Sequence, residues 1–206
     1  MIKRFMKLMV GIVLYAIGLV LMINADIGLA PWEAFHIGLC QQTGLSFGVV
    51  SVTVGFIIMA FTYQLKESIG IGTILSNFLV GPLVDILFVL DWIPKAPNFV
   101  VGIFMAVFGM FIVALGTYFY IGSAFGTGPR DGLMVALTRE YKKPVGLMRG
   151  SIELTVLVLG WILGANVGIG TLIIGFGFGP IVQTVFTLLK FDVKVINHSY
   201  IMQKAS

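Results

Sequence analysis

Cysteine is almost absent: Cys40 stands alone. A single thiol excludes an internal disulfide and a cysteine-based metal site, and reads as a small buried apolar residue. Charge is also scarce, at 11% of residues, against about 25% in soluble domains. The chain has 206 residues, 58% of them hydrophobic, with a mean hydropathy of +1.04. That balance excludes an ordinary soluble domain and makes the chain an integral membrane protein. Acidic residues number 9 against 13 Lys and Arg, for a net charge of +4. The basic excess lies in short loops and at the ends, as in the cytoplasmic flanks of spanning helices, so nucleic acid is not an expected partner. No glycine-rich loop ends in Gly-Lys-Ser/Thr, which excludes a P-loop nucleotide motor. No His-Glu-x-x-His, cysteine pair or Gly-x-Ser-x-Gly occurs, and no nucleophile–base set is visible. An enzyme, a metal site or a bound cofactor is therefore not expected.

Glycine is plentiful, with 26 copies, and its placement repeats. Gly28-Leu29-Ala30-Pro31-Trp32-Glu33 returns as Gly126-Thr127-Gly128-Pro129-Arg130-Asp131, an offset of 98 residues. The same offset carries Gly11 to Gly109, Gly18 to Gly116, Gly48 to Gly146 and Gly70 to Gly168. It also carries Gly72-Thr73 to Gly170-Thr171 and Gly81-Pro82 to Gly179-Pro180. Glycine and proline have special backbone geometry, so the chain's bends are what recur. Two copies of one structural unit follow.

Apolar runs long enough to span a bilayer are expected at about 5–23, 47–65 and 71–90 in the first repeat (residues 1–90). After a linker at 91–98, the second repeat (99–190) places them at about 99–121, 145–164 and 169–189, with a polar tail at 191–206. Lys3, Arg4 and Lys7 before an apolar run have the look of a signal peptide, but the length of the run and its second-copy counterpart favour a retained first helix. Each repeat adds a helix too short to span, from Pro31 to about Gln42 and from Pro129 to about Tyr141, because proline suits a first helical turn. Each is either an interfacial amphipathic helix or a half-helix dipping into the protein. In the second, Arg130, Arg139, Glu140, Lys142 and Lys143 are expected to stay wet. Gly81-Pro82 and Gly179-Pro180 should kink the third and sixth spans.

Basic flanks alternate with neutral ones along the spans, placing both termini in the cytoplasm. Three spans is an odd number, so the two copies enter the membrane from opposite sides. The expected fold is an all-α membrane protein of six spans in two inverted-topology repeats. Such repeats are a common construction of transporters, because exchanging the conformations of similar halves switches the side that is open.

The stretch Gly-Leu-Ala-Pro-Trp-Glu-Ala-Phe-His-Ile-Gly-Leu at 28–39 resembles the signature of the YczE/YyaS/YitT-like bacterial membrane proteins, nearest the YczE branch. Gly126–Leu133 and both Gly-Pro pairs fit as well, so the resemblance covers essentially the whole chain. It implies a bacterial inner-membrane protein with several spans, and supplies no catalytic residues.

Ionisable residues inside spans are costly and mark candidate sites. Glu153 and Arg149 share a face of the fifth span. They either neutralise one another, or Glu153 binds a proton or cation that Arg149 tunes. Asp85 lies one turn after Pro82, its counterpart Gln183 one turn after Pro180, and Asn77 one turn before Pro82. These either satisfy local backbone at the kinks or contact a cation or polar solute there. Glu33 and Asp131 match across the repeats as partners of helix dipoles, and Arg130 is an alternative anion contact. His36 is a candidate pH-sensitive group. Trp32, Trp92 and Trp161 are expected at the membrane interfaces. The expected function is a secondary transporter or permease for a small molecule or ion, proton- or cation-coupled, with spans three, five and six lining the path. The rivals are a non-transporting accessory or regulatory membrane protein and the substrate-binding subunit of an energy-coupled vitamin importer; the expected partners are the lipid bilayer and either a second copy of the chain or a membrane partner protein.

Overall fold

A computed structural model describes residues 1–66, 69–126, 128–143, 145–191 and 200–202. The helices are α1 (Ile2–Asn24), α2 (Pro31–Thr43), α3 (Phe47–Gln64), α4 (Ile71–Leu90), α5 (Phe99–Gly122), α6 (Pro129–Tyr141), α7 (Val145–Ile162) and α8 (Ile169–Leu188). Among the described residues, α1, α3, α4, α5 and α8 are long and apolar enough to cross a membrane. Helix α7, the expected fifth span, forms over 18 residues but is not among those five. Local signals set the ends. Ser46 Oγ accepts from Val49 N at the start of α3, and Asn98 Oδ1 accepts from Val101 N at the start of α5. Gly44, at φ 72°, ends α2 in the left-handed conformation. Pro82 and Pro180 lie inside α4 and α8, which continue through them.

Helices α1 and α5 form the centre and run antiparallel. Gly11 lies against Gly116 and Tyr120, and Gly18 lies against Gly109 and Val113. In lipid the hydrophobic effect does not drive helices together, so close backbone approach through small residues carries the packing. Repeat partners thus sit across one crossing, Gly11 with the partner of Gly18 and Gly18 with the partner of Gly11. Around it pack Ala16, Leu19 and Val20 of α1, Met110 and Val113 of α5, and Phe47, Val84 and Ile174. Helix α4 packs on α1 as α8 packs on α5.

The helix ends fall into two sets. Arg4 Nε donates to Ser123 O, joining the start of α1 to the end of α5. Arg139 donates to Leu65 O, joining the ends of α6 and α3. At the other set, Asn24 Nδ2 donates to Ile93 O, and Gln42 Nε2 donates to Leu163 O. One feature departs from a purely helical chain. Strand β1 (Ile69–Gly70) pairs antiparallel with β2 (Tyr200–Met202), where sequence periodicity marks only a loop and a polar tail. Two-residue pairings carry no periodicity to read. Thr127 of the second glycine motif and tail residues Lys194, His198 and Lys204 lie outside the described residues.

Candidate functional site

The two short helices begin inside the molecule. After α1, Gly28 takes φ 127° and Gly126 after α5 takes φ 125°, a region costly to any residue with a Cβ. Each loop is clasped by the other repeat: Gly170 N donates to Ile27 O, and Gly72 N donates to Phe125 O, both at 2.7 Å. Ala30 and Gly128 are then extended, and Pro31 and Pro129 open the helices. Helix α2 runs parallel to α7, with Ala34 and then Gly38 against Gly160, and Gln42 at Leu163. Helix α6 packs on α3 in the equivalent way. Each short helix is therefore more enclosed at its start than at its end.

Where the half-helices begin, the repeats meet. Arg130 Nη1 lies 3.0 Å from Glu33 Oε1, with Glu33 5% and Arg130 28% exposed. The guanidinium sits 5.0 Å from the centre of the Trp32 ring. Trp32 and Arg130 are repeat partners, 98 positions apart, so they face each other across the relation between the halves. Glu33 is held both by this cation and by the positive end of α2. Tyr15, near the middle of α1, is partly buried within reach of Arg130, Glu33 and Asp131. Burial pushes the Asp131 carboxyl up, against the pull of Arg149 and Arg130. His36 is buried among Trp32, Phe35 and Phe47, and burial pushes its imidazole well below the usual range.

Three of the residues marked in the sequence are more enclosed than expected. Arg130 is only partly exposed, because Glu33 and Trp32 offer it a charge and a ring. Trp32 is buried, whereas Trp92 and Trp161 are exposed. His36 is buried where α2 packs on α3 and α7.

A family model matches residues 2–187. The chain belongs to DUF6198, a family of unknown function. It is 29% identical to the uncharacterised membrane protein YczE of Bacillus subtilis over 209 aligned residues, covering 100% of this chain and 94% of that one. An uncharacterised Haemophilus influenzae protein is 29% identical over 88% of this chain and 82% of its own. The uncharacterised protein YyaS of Bacillus subtilis is 27% identical over 82% of this chain and 86% of its own. The resemblance carried by residues 28–39 is thus confirmed. No solved structure matches the chain.

In this DUF6198 chain the five candidate contact residues do not form one cluster. Arg149 Nε lies 3.0 Å from Glu153 Oε1 as an intrahelical pair, with side chains 52% and 34% exposed. Asp131 of α6 lies within electrostatic reach of both. Asn77 Nδ2 donates to Val52 O at 3.0 Å, a neighbouring helix rather than its own kink, and its amide fills the space a side chain at Gly55 would take. Gln183 is exposed and bonds only weakly to Thr187, at 3.4 Å. Both Asp85 oxygens are engaged at the start of α3: Ser46 Oγ donates to one at 2.5 Å and Gly48 N to the other at 2.9 Å. Asp85 thus reinforces a helix start on the adjacent span. Asp85→Ala is expected to lower stability by about 2 kcal/mol, as for loss of hydrogen bonds to a charged group. Ser46→Ala is expected to cost about 1 kcal/mol as a lost cap. Thermal melts of purified variants check both. A drop under a third of these values would show that the clasp is not formed.

Sequence inspection paired neither Glu33 nor Trp32 with Arg130. A signal was available. The two motif copies differ at Trp32 and Arg130, a ring and a cation that attract when repeat partners meet.

Proposed function

We propose that this chain is a bacterial inner-membrane permease for a small solute, driven by a proton or cation. It has six spans, α7 included, in two repeats of opposite orientation with both termini in the cytoplasm. One observation carries the reading: two half-helices, one from each repeat, begin in the interior at the Glu33–Arg130 pair. Discontinuous helices that start at mid-membrane, at a repeat interface, are where transporters bind solute. The antiparallel crossing of α1 and α5 fits halves of opposite orientation. Charge within a bilayer is retained where it faces a water-filled path. Arg149 and Glu153 on α7 are such charges, so α7 and α8 line the path and Gln183 faces it. Asp85 and Asn77 instead hold α3 to α4.

The first test is a screen for solutes that raise the melting temperature, followed by flux in proteoliposomes. Glu153→Gln and Arg130→Gln are each expected to reduce coupled flux more than tenfold. Asp85→Asn is expected to leave flux per folded molecule unchanged. A transported solute whose flux ignores both Glu153→Gln and Arg130→Gln would refute the path. Tags at the two chain ends, probed in intact cells, are expected to be protected alike from an impermeant reagent. Labelling of one end alone would remove the even number of crossings.

A further inference from the structure

Equivalent helix pairs in the two repeats are in different states. In the first repeat α3 and α4 are tightly joined. The backbones of Gly48 and Gly81 touch, leaving no room for a side chain on either. Asn77 fills the notch at Gly55, and the rings of Phe56 and Phe78 meet edge to face at 5.3 Å. In the second repeat the described residues of α7 and α8 make at most slight contact, with nothing of the extent of the α3–α4 joint.

The second pair nevertheless carries the same joint. Gly146 and Gly179 repeat Gly48 and Gly81. Gly55 and Asn77 become Glu153 and Gly175, so the small and polar partners have exchanged helices while remaining complementary. Phe56 and Phe78 become Leu154 and Phe176, two large apolar side chains that are 63% and 80% exposed. A Cβ added at Gly175 or Gly150 would meet nothing within 4 Å. Glycine inside a helix costs about 1 kcal/mol relative to alanine. A glycine that admits nothing close in this state, at a position whose partner makes a close joint, fits a contact made in another state. Positions alone would be a pattern of small residues. The exposed Leu154–Phe176 pair and the Glu153–Gly175 exchange are independent of it.

We propose that α7 and α8 close on one another as α3 and α4 already do, seating Glu153 against Gly175 and Leu154 against Phe176. The open cleft between them is then the solute's way in on this side, and its closure carries Glu153 from an aqueous to an occluded setting. The inference rests on the inverted-repeat reading above. It identifies the present state as open through the second repeat and shut through the first. Similar halves with two discrete packings supply the bistable element that switching requires.

The test uses the full chain in native membranes with Cys40→Ser as background. Leu154→Cys with Phe176→Cys is exposed to a mild oxidant, beside a Phe56→Cys with Phe78→Cys control whose partners already touch. The expected result is a disulfide within one chain for both pairs, the second-repeat pair forming within about tenfold of the control's rate. If the 154/176 variant fails to accumulate, Gly150→Cys with Gly175→Cys, at the positions of Val52 and Asn77, gives the same readout. A control that cross-links while neither second-repeat pair does would overturn the proposal. So would a bond formed only between two chains, which would make the cleft a contact between copies. The cross-link is read with no solute present. Flux without it leaves the permease standing and removes the gate; the cross-link without flux does the reverse.

Discussion

Glu33→Gln is expected to lower the melting temperature of the purified protein by roughly 6–12 °C, from a loss of about 3 kcal/mol at about 2–4 °C per kcal/mol for a chain of this size. The substitution keeps the shape of the side chain and removes its charge. Arg130 then remains against Trp32 without its paired carboxylate, near the positive ends of two half-helices and with only the more distant Asp131 as an anion. Removing one partner of a buried pair costs about 3–5 kcal/mol, and the low end applies because Arg130 keeps 28% of its side chain exposed. Adding Arg130→Gln is expected to restore at least half of the loss, since the uncompensated charge is what costs most. A double variant as unstable as Glu33→Gln alone would show that the pair is not the source. Stability and flux separate here. The double variant should fold well and still fail to transport, because the proposed solute contact is gone.

Gly11→Ala and Gly150→Ala are expected to act in opposite directions. At Gly11 the added Cβ would stand 2.6 Å from Tyr120 N and 2.9 Å from Gly116 O. Both are backbone atoms, so no rotamer change relieves the clash and α1 must move away from α5. Overpacking costs about 1–3 kcal/mol, and the upper end is expected where main chains meet. At Gly150 the same methyl group meets nothing within 4 Å. Helix propensity then favours alanine by up to about 1 kcal/mol. Melting curves in detergent are expected to show a fall for Gly11→Ala and no fall for Gly150→Ala. Equal destabilisation at the two sites would contradict the crossing of α1 and α5 through their glycines.

Much of this architecture was legible before any coordinates. The helices follow from apolar length, and the half-helix starts at Pro31 and Pro129 follow from proline's fixed φ and missing donor. The repeated glycines mark bends and close approaches, as the matching φ values of Gly28 and Gly126 show. These properties belong to single residues or short windows, so spacing along the chain reports them. Residue roles were less legible. Asp85 and Gln183 occupy equivalent positions, yet Asp85 holds the start of α3 while Gln183 is exposed on α8. Glu33 and Asp131 are likewise equivalent, and among those two only Glu33 pairs with Arg130.

The sequence alone determined the membrane class, the family, the duplication and the places where helices start, since each depends on local backbone chemistry or on composition. Only the tertiary structure decided that Arg130 lies between Glu33 and Trp32, that α2 packs on α7 and α6 on α3, and that α3 and α4 join closely through Gly48 and Gly81. Those are distances between residues far apart in the chain. They depend on how whole helices pack, and no periodicity along one helix encodes which neighbour its face will meet.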